Sequence, residues 1–186
     1  MNKTKDLIFI AFYAAMATVL EIVSGIIPFL QMPQGGSIQL GVIPVLVASY
    51  HLGYKKGACT GFLWWLIVFL MGGNNWFVDP MQYLLDYIFP CAVCGMAACF
   101  PKIGKNNLLS GVTGVMVLKF IFHILSGVYY WPPEGAAQGS LGAWIYSLTY
   151  NFGYNFATLL IAIVLVPMLF NRIAKNTKEF TGLKNS

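Results

Sequence analysis

Residues 108–131, LLSGVTGVMVLKFIFHILSGVYYW, decide the fold of this chain. Lys119 and His123 are the only residues of the stretch with a charge or an imidazole. A helix needs roughly 20 apolar residues to cross a hydrocarbon core about 30 Å thick. The stretch therefore predicts a membrane-spanning helix that carries two polar side chains inside the bilayer.

The composition of the whole chain agrees with this prediction. Of 186 residues, 58% are hydrophobic and 9% are charged, whereas about 25% are charged in an ordinary soluble domain. So few charges cannot cover the surface of a soluble globule, so a cytosolic enzyme, a disordered chain and a nucleic-acid binder are excluded. The chain is predicted to be an all-α integral membrane protein that contacts the lipid bilayer and binds no nucleic acid.

Six spanning helices in one compact bundle are predicted, with residues 1–186 forming a single domain. The apolar stretches lie at about 7–30, 38–52, 58–71, 80–100, 108–131 and 141–170. The second and third are separated by the turn Gly53-Tyr54-Lys55-Lys56-Gly57. One long helix through this turn is disfavoured because it would place two lysines inside a span.

The basic residues predict the orientation of the bundle. With six spans, ten lysines and arginines fall at the end that carries both termini and none falls at the opposite end. Cytoplasmic loops collect lysine and arginine. We therefore expect a multi-pass protein of the cell membrane with both termini in the cytoplasm.

No enzyme signature is present in the chain. It contains no G-x-x-x-x-G-K-[ST], no H-E-x-x-H and no G-x-S-x-G, which are the motifs of a P-loop, a zinc protease and a hydrolase. Cys91-x-x-Cys94 has a redox or zinc-ligand spacing, but it lies inside a predicted span with no histidine nearby in sequence. Apolar packing is the favoured interpretation, and neither a catalytic residue nor a metal site is expected.

Polar side chains from three predicted helices converge at one depth. At 1.5 Å per residue, Asp86, His123 and Asn151 each lie roughly 10 to 15 Å from the end of the bundle opposite the termini. Polar groups in lipid are costly unless they face a cavity or a partner. The convergence therefore predicts a binding site in that half of the bundle.

Helical spacing supplies the rest of the predicted lining. Tyr83, Asp86 and Tyr87 are expected to share a face that Gln82 borders, and Tyr146 lies near Asn151. Aromatic faces and a buried carboxylate suit a flat heteroaromatic ligand with a positive charge. Each member has an alternative role: Trp76 as an interfacial belt residue, and Asp86 or Glu21 as a partner of Lys119.

Two further segments have both a structural and a functional interpretation. The uncharged loop 31–37, which contains Gln34, Gly35, Gly36 and Ser37, is either an ordinary turn or a gate over the site. Ala11 and Ala15 lie four residues apart, and such small residues let another helix approach closely. That helix belongs either to this chain or to a partner protein.

Four motifs in register resemble one family. The loop Pro33-Gln34-Gly35-Gly36-Ser37, the stretch 82–87 (QYLLDY), the stretch from Lys119 through His123 and Gly127 to Trp131, and Tyr146-Ser147-Leu148 with Asn151 look like the thiamine-specific substrate-binding (S) components of energy-coupling factor vitamin transporters, the ThiT or YuaJ family. The match covers nearly the whole chain. Some members carry Glu at the position of Asp86, and some have a tryptophan in the loop.

The resemblance implies a transport subunit without enzymatic activity or cofactor. Such a subunit captures thiamine from outside the cell and associates with the transmembrane coupling protein EcfT and two cytoplasmic ATPases. The implied substrate-binding residues are Asp86, Tyr87, His123, Trp131, Tyr146 and Asn151, with Trp76 and Gln82. Ala11 and Ala15 are implied in docking on the coupling protein, and loop 31–37 is the implied lid.

Three other interpretations remain open from the sequence. The site could bind a related pyrimidine or another vitamin. The chain could be an intramembrane enzyme that uses His123 and Asp86 as acid and base, or a structural membrane subunit without a ligand. Only the last leaves the convergence of polar residues without an explanation.

Overall fold

The computed structural model describes residues 3–73, 76–101, 103 and 108–176. In this part of the chain six helices form the bundle. They are α1 (Lys3–Ile26), α2 (Val42–Leu52), α3 (Tyr54–Leu70), α4 (residues 80–94), α5 (Leu109–Tyr130) and α6 (Leu141–Asn176). We call the end with Lys3 and Asn176 the terminal end, and the opposite end, with residues 27–41, 76–79 and 131–140, the loop end.

Three of the described helices are long and apolar enough to cross a membrane, namely α1, α5 and α6. The 17 residues of α3 reach about 25 Å at the rise of an α-helix. The 36 residues of α6 reach about 54 Å, which is more than a bilayer core needs. These helices agree with the predicted apolar stretches.

The second helix is shorter than predicted. Instead of residues 38–52 it covers Val42–Leu52, and all 11 of its residues are buried. At about 16 Å it is too short to span, and it lies inside the bundle. Its start is fixed by Gly41, where a Cβ atom would lie 2.7 Å from the backbone oxygen of Ala17 in the middle of α1.

The connection between α2 and α3 is also tighter than predicted. Gly53 alone joins the two helices, with a φ of +88° that favours glycine. Lys55 and Lys56 consequently lie in the first turn of α3 rather than in a loop. Lys56 donates to the Asp6 carboxylate at 2.6 Å and so ties α3 to the first turn of α1.

The main hydrophobic core surrounds α2 and occupies the terminal half of the bundle. It includes Leu46, Trp64, Val115 and Val166, from four different helices. The second cluster, near the loop end, comprises Ile124, Val128 and Ala143. The half of the bundle in which the sequence places the site is therefore the less densely packed half.

Candidate functional site

Asp86 lies where helix α4 departs from regular α-helical geometry. Residues Leu84–Ile88 form a π-helical segment between the α-helical segments Pro80–Tyr83 and Phe89–Cys94. Pro90 has no N–H to donate to the carbonyl of Asp86, four residues earlier. The ring of His123 lies near the Asp86 backbone. Short π segments are frequent at functional sites, and this one brings α4 and α5 together at the predicted position.

The Asp86 carboxylate is held by two neutral donors. Its Oδ2 accepts from Gln82 Nε2 at 2.7 Å and from Trp131 Nε1 at 3.1 Å. Gln82 is fully buried, and its Oε1 accepts from Val78 N at 3.0 Å. The structure therefore joins Asp86 and Gln82 of α4 with Trp131, the residue that follows α5, in one cluster.

Trp76 lies at the rim of this cluster. Its ring meets that of Trp131 edge to face, with 6.4 Å between centroids, and 72% of the residue is exposed. Its carbonyl accepts from Gln82 Nε2 at 3.4 Å. Trp76 thus borders the Asp86 cluster as the sequence predicts, on the side open to the surroundings.

His123 connects α5 to α6. Its Nδ1 lies 3.1 Å from the Tyr154 hydroxyl and 3.4 Å from Asn155 Nδ2. The Tyr154 hydroxyl also donates to Asn151 Oδ1. Since His123 also lies near the Asp86 backbone, it connects the α4 and α6 parts of the predicted site.

Asn151 is fixed by its neighbours on both helices. Its Nδ2 donates to the Ser147 carbonyl at 2.9 Å, and the carbonyl of His123 lies 3.4 Å away. A Cβ atom on Gly127 would lie 2.2 Å from the Ser147 hydroxyl, so only glycine allows this approach of α5 to α6. The amide that the sequence predicts is therefore buried and oriented.

Tyr146 and Tyr87 lie to the sides of this cluster. Tyr146 stacks on Tyr150 at 6.0 Å with an interplanar angle of 14°. Tyr87 packs on Tyr83 at 4.8 Å, and Tyr83 also contacts Trp65 of α3. The predicted face of Tyr83, Asp86 and Tyr87 is thus divided, because Asp86 pairs with Gln82 whereas the two tyrosines pair with each other.

Lys119 hydrogen bonds an amide, while the charge of Glu21, one of the two partners considered in the sequence, acts on it without a direct ion pair among the described residues. Lys119 is almost fully buried, and its Nζ donates to Asn155 Oδ1 at 2.9 Å. Glu21 accepts from Gln39 Nε2 at 3.3 Å, and its other oxygen is buried without a hydrogen-bond partner in the described part of the chain. The lysine therefore supports the α6 amides near His123.

Loop 31–37 lies against α6 next to the site. Gln31 and Ser37 form an antiparallel bridge. At the base of the loop, Ser24 of α1 accepts from Gln31 Nε2 at 2.6 Å through its carbonyl and from Leu40 N at 3.1 Å through its hydroxyl. Gly36 contacts α6, and Gly35 has a φ of +98°. The side chain of Gln34 lies outside the described part.

The two remaining predictions concern surfaces and cysteines. Ala11 and Ala15 are exposed on α1, while the neighbouring Ala14 is buried, so the small-residue face lies on the outside of the bundle. Cys91 and Cys94 are buried and belong to the main core cluster. Their positions fit the apolar packing favoured from the sequence.

Tyr150, Tyr154 and Asn155 also lie at the site, beside Tyr146 and Asn151 with which helical spacing groups them in the sequence. Tyr150 and Tyr154 follow Tyr146 at intervals of four residues, which places them on one helix face. As a whole, the arrangement offers a carboxylate, an imidazole, oriented amides and several aromatic faces. Such a set can bind an aromatic cation with hydrogen-bonding groups.

Comparisons with known proteins agree with one another. The family described as thiamine transporter protein (Thia_YuaJ) matches residues 7–178. The thiamine transporter ThiT of Bacillus subtilis is 35% identical over 188 residues, which cover 91% of this chain and 94% of that protein. The solved structure of ThiT from Listeria monocytogenes superposes with a TM-score of 0.70 at 26% identity, covering 93% and 97% of the two chains.

A more distant relative transports a different vitamin. The riboflavin transporter RibU of Lactococcus lactis subsp. cremoris is 26% identical over 138 residues, which cover 70% of this chain and 64% of that protein. The sequence similarity thus extends to a transporter of another vitamin, although the identity is lower and the matched part of the chain is smaller.

Proposed function

This chain belongs to the thiamine transporter (Thia_YuaJ) family, and we propose that it is the substrate-binding (S) component that captures thiamine at the loop end of the bundle. The observation that carries this assignment is the cluster around Asp86. There a partly buried carboxylate, two tryptophans and an imidazole from three segments meet in a membrane protein of this family.

Each residue has a role in the proposed complex. Trp131 and His123 flank an aromatic ring of thiamine, and Asp86 balances the thiazolium charge or hydrogen bonds the aminopyrimidine. Tyr146, Asn151 and Tyr87 supply hydrogen bonds. Trp76 completes the rim, and Gln82, which is buried beneath it, keeps the carboxylate in place.

Transport requires partners that supply energy. We propose that Ala11 and Ala15, which form an exposed small-residue face on α1, dock on the transmembrane coupling protein EcfT. Two cytoplasmic ATPases of the same complex would hydrolyse ATP. The ten basic residues at the terminal end favour a cytoplasmic location for both termini in the cell membrane, so the site opens outward.

Equilibrium binding of labelled thiamine to the purified protein in detergent tests the assignment. We expect saturable binding at submicromolar concentration, competition by unlabelled thiamine, and recovery of the ligand unchanged. Chemical conversion of thiamine would support the enzyme with His123 and Asp86 instead. Absence of binding would remove the thiamine assignment.

A related pyrimidine or another vitamin is the second candidate, since the relation to RibU shows similarity to a carrier of a different vitamin. Competition with riboflavin and with the isolated aminopyrimidine of thiamine separates the two candidates. We expect no competition by riboflavin and only weak competition by the pyrimidine, because the latter lacks the cationic ring that Asp86 would balance.

A further inference from the structure

Two backbone groups at the tip of loop 31–37 hydrogen bond one tyrosine hydroxyl of α6. Tyr150 Oη accepts from Gly36 N at 3.0 Å and donates to the carbonyl of Pro33. The single hydroxyl proton serves one of these bonds and an oxygen lone pair the other. Both bonds therefore depend on the same atom, which a phenylalanine would lack.

Gly36 is seated on a second tyrosine of the same helix. A Cβ atom at this position would lie 2.7 Å from Tyr154 Cε1 and 2.9 Å from Cδ1. The Tyr154 ring has little freedom to retreat, because it is buried and its hydroxyl is bonded to Asn151 and lies against His123. Gly36 is thus required by space rather than by backbone conformation, since its φ is −69°.

The base of the loop is anchored differently from its tip. Ser24 is buried and accepts hydrogen bonds from both ends of the loop, at Gln31 and at Leu40. Opening of the loop while its base stays in place requires the tip to leave Tyr150 and Tyr154.

We propose that Tyr150 is a positioning residue that holds loop 31–37 closed over the site and thereby slows the release of the bound ligand. It acts through the loop rather than by touching the ligand. The aromatic contacts from Tyr146 through Tyr150 to Tyr154 join this latch to the residues around His123. The consequence for thiamine rests on the proposed function, whereas the latch itself does not.

Two measurements on Tyr150→Phe test the latch separately from thiamine binding. In the ligand-free protein, hydrogen–deuterium exchange of the peptide covering residues 31–38 is expected to become about tenfold faster, as the loss of hydrogen bonds worth about 1.4 kcal/mol implies. In stopped-flow experiments, thiamine dissociation is expected to accelerate by a similar factor, with little change in the association rate.

Gly36→Ala and Thr149→Val complete the design. Gly36→Ala should displace the same loop tip from α6, because the added methyl group meets the Tyr154 ring. The double variant Gly36→Ala/Tyr150→Phe should therefore show exchange and release rates close to those of either single variant. Thr149 is the matched control, because its exposed hydroxyl bonds only carbonyls of its own helix. Thr149→Val should leave exchange and release unchanged.

The outcomes are distinct. Unchanged exchange of residues 31–38 in Tyr150→Phe would overturn the latch whether or not thiamine binds. Faster exchange with unchanged thiamine release would overturn its role in retention. If the wild-type protein binds no thiamine, the proposed function fails while the exchange experiment still decides whether Tyr150 holds the loop.

Discussion

The two halves of this bundle are built on different principles. In the terminal half, helices approach at backbone distance. A Cβ atom on Gly95 would lie 1.9 Å from the carbonyl oxygen of Gly57, and one on Gly61 would lie 2.0 Å from that of Cys91. In the loop half, polar side chains and aromatic rings fill the space between helices, and the hydrophobic cluster is small.

This difference indicates a division of labour. Close packing resists deformation, because interiors near crystal density transmit strain instead of absorbing it. A site that must admit and release a ligand needs groups that exchange partners, and hydrogen-bonded side chains can do this. Substitutions in the terminal half should therefore affect folding, and those in the loop half should affect binding.

The largest expected effect is that of Gly95→Ala. The added methyl group has no room between α3 and α4, so we expect a loss of about 3 kcal/mol or more of stability, measured as a fall in the melting temperature in detergent. Gly25→Ala is the matched control, since its Cβ atom would meet nothing within 4 Å. Equal melting temperatures for the two variants would contradict the division between the halves.

Asp86→Asn should reduce thiamine affinity by about a hundredfold, the effect of losing a charge-assisted contact worth roughly 3 kcal/mol. The amide is nearly isosteric with the carboxylate, so the melting temperature should change little. Isothermal titration calorimetry measures the affinity, and Glu134→Gln, at an exposed position in a loop, controls for net charge. A wild-type affinity for Asp86→Asn would remove the carboxylate from the site.

Trp131→Phe should have a smaller effect, about tenfold in affinity. The ring remains as an aromatic face, but the indole N–H that donates to Asp86 at 3.1 Å is lost, at a cost near 1 kcal/mol. Trp131→Ala should bind thiamine still more weakly, because it also removes the aromatic face. If the two variants bind equally well, the aromatic face contributes nothing.

Ala15→Leu should have the smallest effect on the isolated protein. The residue is exposed on α1 and remote from Asp86, so thiamine affinity and melting temperature should stay unchanged. Uptake of thiamine by cells should nevertheless fall, because the larger side chain keeps a partner helix away. Normal uptake would argue against docking at this face.

Much of this organisation could be predicted from the sequence, because long apolar stretches define α1, α5 and α6. The shortened α2 could not, since residues 38–52 are mostly apolar and Gly41, which precedes α2, packs against Ala17 of α1. A one-dimensional pattern does not contain that contact.

The site was predictable to a similar extent. The rise of a helix was sufficient to place Asp86, His123 and Asn151 at one depth. It could not reveal the π-helical segment at Leu84–Ile88, which contains both Asp86 and Tyr87. Nor could it reveal the bonds of Tyr150 to Gly36 and Pro33, whose partners are more than a hundred residues apart in the chain.

The most direct test of the central claim, that thiamine binds beside Trp131 in the loop half, is a fluorescence titration of wild type and Trp131→Phe in parallel. Of the five tryptophans, Trp131 should lie against the ligand, while Trp64 is buried in the terminal-half core. We predict saturable quenching by thiamine in the wild type and loss of most of that quenching in Trp131→Phe at saturating ligand. Undiminished quenching in Trp131→Phe would place the ligand elsewhere.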